Sequence, residues 1–237
     1  MTAAPPASAP PTPARDLQLG LAGTGLAVVM WGLSGVIIKW IDMDALAVGF
    51  WRFLVYALIM CGWLTARGSA PNWRVLRASM AGGISLGIDI VCFFTAVKLT
   101  NVVNATTIGA LQPLVVAVFA ARLFGERIKR SDLAAAVIAI GAVIVIVIES
   151  SGTPEWSGAG DLFAIGALFS WASYFIFSKR SQGVITSTEY TAGTGAWTTV
   201  VTGMAGLVAG QEMGVPTPAN WLPLMALILG TGVVGHS

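Results

Sequence analysis

The sequence predicts an all-α, polytopic membrane protein with about eight transmembrane helices, and three observations carry that expectation. Of its 237 residues, 56% are hydrophobic and 10% charged. Soluble domains carry about 25% charged residues, so this chain has too little polar surface to face water on all sides. Apolar runs of about 20 residues recur along it, the length a helix needs to cross a hydrocarbon core. The charges that remain gather in short loops between those runs, which with a formal net charge of +2 gives no footprint for nucleic acid.

The opening "MTAAPPASAPPTPAR" is rich in Pro and Ala and lacks a basic n-region, so residues 1–16 read as a disordered cytoplasmic tail and not as a targeting peptide. Eight apolar segments follow, roughly 18–38, 44–65, 79–99, 102–123, 132–149, 160–178, 187–209 and 220–237. With the N-terminus cytoplasmic, Arg15, Arg67, Arg74, Arg77, Arg122, Arg127, Lys129, Arg130, Lys179 and Arg180 all fall at the inner face. Lys39 and Lys98 fall at the outer face, and Arg52 falls inside a span. That asymmetry is a positive-inside pattern and sets the expected orientation. Cys61 and Cys92 both lie in apolar runs, with neither a disulfide framework nor metal-ligand spacing.

Residues 20–40, "GLAGTGLAVVMWGLSGVIIKW", align with 160–180, "GDLFAIGALFSWASYFIFSKR". The alignment pairs Gly20 with Gly160, Ala27 with Ala167, Trp31 with Trp171 and Lys39 with Lys179. An odd number of spans separates the copies, so the second is inverted relative to the first. Inverted-topology repeats are an architecture of secondary transporters, with the solute site near the midplane. Residues 17–150 then form a first five-helix repeat, and 151–237 a second, incomplete one of three helices.

In "VVMWGLSGVIIK", "FWRFLVYALI", "FFTAVKLTNVVNATTIGALQPLVVAVFAARLFGERI" and "GDLFAIGALFSWASYFIFSKR" the sequence resembles the EamA-type drug/metabolite transporters. The most specific piece is Pro113 within a span, followed at the span's inner end by Gly125, Glu126 and Arg127. The resemblance covers nearly all of 18–237. It implies ten helices in two inverted five-helix repeats around a central cavity, in a bacterial-type inner membrane. It also implies export of a small metabolite or amphipathic solute by alternating access, with no cofactor. Against ten helices the chain stops at "GTGVVGHS" in the eighth span, so it is expected to be a fragment of a longer protein. The alternative is a non-transporting helical membrane protein, an assembly partner or an inactive remnant.

Asp89 lies in "GISLGIDIVCFF", apolar on both sides. At 1.5 Å per residue, Asp89 sits about 16 Å and Arg52 about 12 Å below the outer helix ends. A charge at midplane costs about 3 kcal/mol or more unless paired or hydrated. The two therefore form a structural ion pair, or Asp89 faces the cavity and binds solute or a coupling proton. Gly82, Ser85, Cys92 and Ala96 share its helical face, which suits close helix packing or a water-filled cavity equally. The expected cavity lining is Trp31, Ser34, Asp89, Phe93, Asn104, Gln112, Trp171 and Tyr174. Pro113 kinks its span and frees the carbonyl near Gly109 for ligand, water or a neighbour; the plainer reading is a packing kink. Glu126 and Arg127 form an inner-face cluster, solvated or acting as a gate. Thr191, Thr194, Thr198 and Thr202 form a stripe that reads as helix–helix glue.

One competing class, an intramembrane serine protease, is suggested by "GLSG" and the single histidine. Ser34 lies about 7 Å from the outer side whereas His236 lies about 24 Å down its helix, which removes a Ser–His dyad. No P-loop, metal motif or dinucleotide fingerprint is present in the sequence, so no enzymatic or ATP-driven role arises from it.

Overall fold

The computed structural model describes residues 40–100, 107–125, 130–151 and 157–234, with scattered positions between 18 and 38. Its elements are helical: α1 (Ala45–Ala66), α2 (Trp73–Leu99), α3 (Gln112–Phe124), α4 (Arg130–Ser151), α5 (Ala159–Ser181), α6 (Ser187–Val208) and α7 (Pro218–Leu227). A π-helical segment, Ile228–Val234, continues α7. Among the described residues, four stretches are long and apolar enough to cross a membrane: 45–66, 73–96, 107–124 and 159–181.

Local chemistry sets the helix ends. The Asn72 side chain accepts the Val75 N–H at 3.1 Å and starts α2. That start lies before the apolar segment expected from residue 79, because the first turns carry Arg74 and Arg77 and hydropathy passes over them. Thr186 and Glu189 cap α6 reciprocally, Glu189 N–H to Thr186 Oγ1 at 3.2 Å and Thr186 N–H to Glu189 Oε2 at 2.8 Å. The same helix ends on Gly210 at φ 66, with Gln211 N–H bonded to Gly206 O and Gly210 N–H to Leu207 O. This is a left-handed stop that needs glycine.

The span that carries Pro113 is interrupted just before it. Residues 107–109 are helical, Ala110 and Leu111 form a turn, and α3 starts afresh at Gln112 with Pro113 in its first turn. Leu111 N–H bonds back to Ile108 O at 3.1 Å, a tighter i−3 closure. Proline is tolerated in a first turn, where its missing N–H would have no helical partner.

Helix α6, which is Thr- and Gly-rich, lies between α1 and α2. It runs parallel to α2: a Cβ at Gly193 would meet Ser79, one at Gly83 would meet Trp197 and Thr194, and one at Gly87 would meet Val201. It runs antiparallel to α1, with Gly195 against Tyr56 and Ala57, Gly203 against Phe50, and Gly206 close to Leu46. Small residues let the backbones approach this closely. Thr194, Thr198 and Thr202 are buried in the seam. Thr198 Oγ1 donates across it to Gly83 O at 3.1 Å, whereas Thr202 bonds back to its own helix at Thr198 O. Trp197 Nε1 adds a bond to Leu76 O at 2.8 Å. Trp197→Phe should therefore lower stability by about 1 kcal/mol, read as a fall in melting temperature in detergent.

On the other side of α2 lies α5, antiparallel, with Gly160 against Leu99 and Thr100 and Gly166 against Cys92. Buried Asp161 accepts from Thr100 Oγ1 at 3.0 Å and from Ser157 N–H at 2.9 Å, which ties the end of α2 to the start of α5. Helix α3 runs parallel to α5, with Phe119 edge-on to Phe169 and Lys179 Nζ 4.7 Å from the Phe124 ring centroid.

Candidate functional site

The small-residue face around Asp89 is a packing seam in the half of α2 nearer Thr100. Cys92 rests on Gly166, and Ala96 packs with Ala164 and Ile108. The same register places Asp89 about level with Ser170 and Trp171. Asp89 keeps 8% of its surface exposed and, among the described residues, makes no hydrogen bond or ion pair. In the other direction the face ends where the Tyr190 hydroxyl lies against Gly82.

Asp89 and Arg52 are not brought together as an ion pair. The Arg52 guanidinium lies 5.1 Å from the Phe53 ring centroid and adjoins Tyr56 one turn along α1. The reason is angular. Gly49 of α1 meets Ile90 and Phe94, so Ile90 faces α1, and Asp89, about 100° round the helix, turns towards α5. The two side chains point to different neighbours.

Trp171 and Tyr174 do meet. Their ring centroids are 5.7 Å apart, and Tyr174 continues to Tyr190 at 6.1 Å. The Tyr190 hydroxyl donates to Tyr174 O at 3.4 Å. Tyr56 is buried in the same core cluster, its ring against Gly195 of α6. Three phenols from α1, α5 and α6 thus converge, with Arg52 one turn from Tyr56 and half-buried Trp171 at their edge. The sequence reading missed Tyr56 and Tyr190. Tyr56 stands four residues after Arg52, on the same helical face, and that spacing was available.

The remaining candidates are more scattered. Phe93 is 37% exposed with its ring tilted against Phe94, and Gln112 is half-buried at the start of α3. Trp31, Ser34, Asn104, Glu126 and Arg127 lie outside the described residues, as do Lys39 and His236. Among the described residues, two polar atoms are buried without a hydrogen-bond partner, Thr107 Oγ1 and Ser157 Oγ. Thr107 lies just before the helix break. Among the described residues no group of His, Cys, Asp and Glu could hold a metal ion.

Long apolar helices packed through glycine seams, with ionisable and phenolic side chains inside the bundle, define an integral membrane protein. A family model, the EamA-like transporter family, matches residues 18–148. The chain belongs to that family. It is 30% identical over 158 residues to a probable amino-acid metabolite efflux pump of Salmonella typhimurium, covering 65% of this chain and 52% of that protein. It is 29% identical over 147 residues to the aromatic amino acid exporter YddG of Ancylobacter novellus, covering 60% and 49% respectively. The chain spans about half the length of the curated relatives it matches. A crystal structure of a protein 21% identical in sequence shares the fold, with a TM-score of 0.75 over 91% of this chain and 76% of that one.

Proposed function

We propose that this protein is part of a secondary transporter that exports a small amphipathic metabolite of the amino-acid class by alternating access. The observation that carries the reading is Asp89, an acid deep in an apolar helix with no partner among the described residues. Ionisable groups inside a membrane face the bundle interior and mark solute or proton pathways. The solute class follows from the names of the relatives and suits the chemistry nearby. Phenol and indole faces take an apolar body, while Arg52 and Asp89 offer opposite charges to a zwitterionic head. In this reading the bundle sits in an inner membrane with its N-terminus cytoplasmic, its repeats rock about the midplane, and Asp89 carries the coupling proton. Everted vesicles should accumulate a labelled aromatic or aliphatic amino acid when a pH gradient is imposed. If no member of such a panel is taken up above empty vesicles, the non-transporting reading takes its place.

A further inference from the structure

The end of the bundle where α1 begins is held by a polar clasp. The Asn220 side chain makes two bonds to Asp42, accepting its N–H at 3.1 Å and donating to its carbonyl at 3.0 Å. Gln211 Oε1 accepts the Leu46 N–H at 2.8 Å, thereby capping α1 from a distant segment. Asp44, at the N-cap position of α1, makes no cap bond of its own. Its carboxylate instead takes the Glu212 N–H at 2.8 Å. Trp51 Nε1 donates to Gly214 O at 2.8 Å, and Met213 folds back over Gly206. Every one of these bonds joins the first half of the chain (42–51) to the second (211–220).

The helix that follows the clasp is built to bend. Pro223 lies inside α7, and the chain then widens into the π-helical segment, a geometry found as short bulges at functional sites. There a Cβ at Gly232 would come within 2.9 Å of the Tyr56 ring, so the backbone rests directly on the phenol cluster. The bonds at the tip are different in kind from that buried contact. Those of Trp51 and Glu212 are exposed, so water can replace them when they part.

We propose that residues 211–220 form the outer gate of the transporter, a clasp on α1 that opens in each cycle as α7 turns where Gly232 rests on Tyr56. This rests on the alternating-access reading above and assigns that motion to particular residues. The test places Asp44→Cys and Glu212→Cys in a Cys61→Ser, Cys92→Ser background and joins them with a short, reducible bifunctional thiosulfonate. Closing the clasp should cut export at least about tenfold, with recovery on reduction. Undiminished export by the cross-linked protein would overturn the proposal. Amide hydrogen exchange of the wild-type protein in nanodiscs gives a readout independent of transport. The Leu46 and Glu212 N–H groups should exchange about a hundredfold faster than that of Thr198, and faster still in Asn220→Ala. Protection equal to that of Thr198 would also overturn it. If no solute moves even before cross-linking while the clasp amides exchange rapidly, the transporter reading fails and the opening of the clasp stands.

Discussion

Gly83→Leu is expected to leave little folded protein in the membrane. A Cβ at Gly83 would lie 2.5 Å from Trp197 Cβ, 2.9 Å from Thr194 O and 3.0 Å from Thr194 Cα. Two of those three atoms are backbone, so no rotamer change relieves the clash and α6 must move away from α2. Overpacking a close seam costs about 1–3 kcal/mol even for small additions. Gly83→Ala should fall in that range, and leucine above it. Separation would also break the Thr198–Gly83 and Trp197–Leu76 bonds, which cross the same seam. The measurement is the monodisperse fraction on size exclusion, with the melting temperature of what survives. Gly62 is the control, since nothing lies within 4 Å of a Cβ there. Gly62→Ala should stabilise α1 by about 0.5–1 kcal/mol, because alanine is the better helix former. A wild-type melting temperature for Gly83→Leu would show that α2 and α6 do not pack as described.

Asp89→Asn separates two roles that the sequence left open. If Asp89 carries solute or the coupling proton, export should fall at least about tenfold, equivalent to about 1.4 kcal/mol of barrier. What remains should no longer respond to an imposed pH gradient, because an amide cannot take up and release the proton. Stability should stay the same or rise, since burying a carboxylate at midplane costs about 3 kcal/mol and no partner among the described residues offsets it. A structural ion pair predicts the reverse: lower melting in Asp89→Asn, recovered when Arg52 is replaced by Met, with pH-dependent export intact. Angular placement favours the first outcome, because Arg52 lies against Phe53 and Tyr56 while Asp89 turns towards α5.

Much of the bundle was legible in the sequence because lipid makes the rules simple. Apolar length alone located 44–65, 160–178 and 187–209 to within a few residues of α1, α5 and α6. The Thr191–Thr202 stripe announced a helix–helix contact. The site was less legible. Expected depth can be counted from helix ends, but rotation about the axis is set by which residues the neighbours lack. Ile90 takes the position facing α1 because Gly49 leaves room for it. Tyr190 reaches Gly82 for the same reason. The Asp42–Asn220 clasp joins residues 178 apart in sequence, and no local pattern announces such a bond.

By itself, then, the sequence determined the class of the molecule and the family to which its motifs belong. The class follows from transfer energies summed along single helices and the family from local motifs, and neither needs knowledge of neighbours. Only the tertiary structure decided that α6 lies between α1 and α2 and that the phenols of Tyr56, Tyr174 and Tyr190 meet. Those outcomes depend on how closely two backbones can approach. A glycine opens that distance only when the facing helix presents the right side chain to fill it.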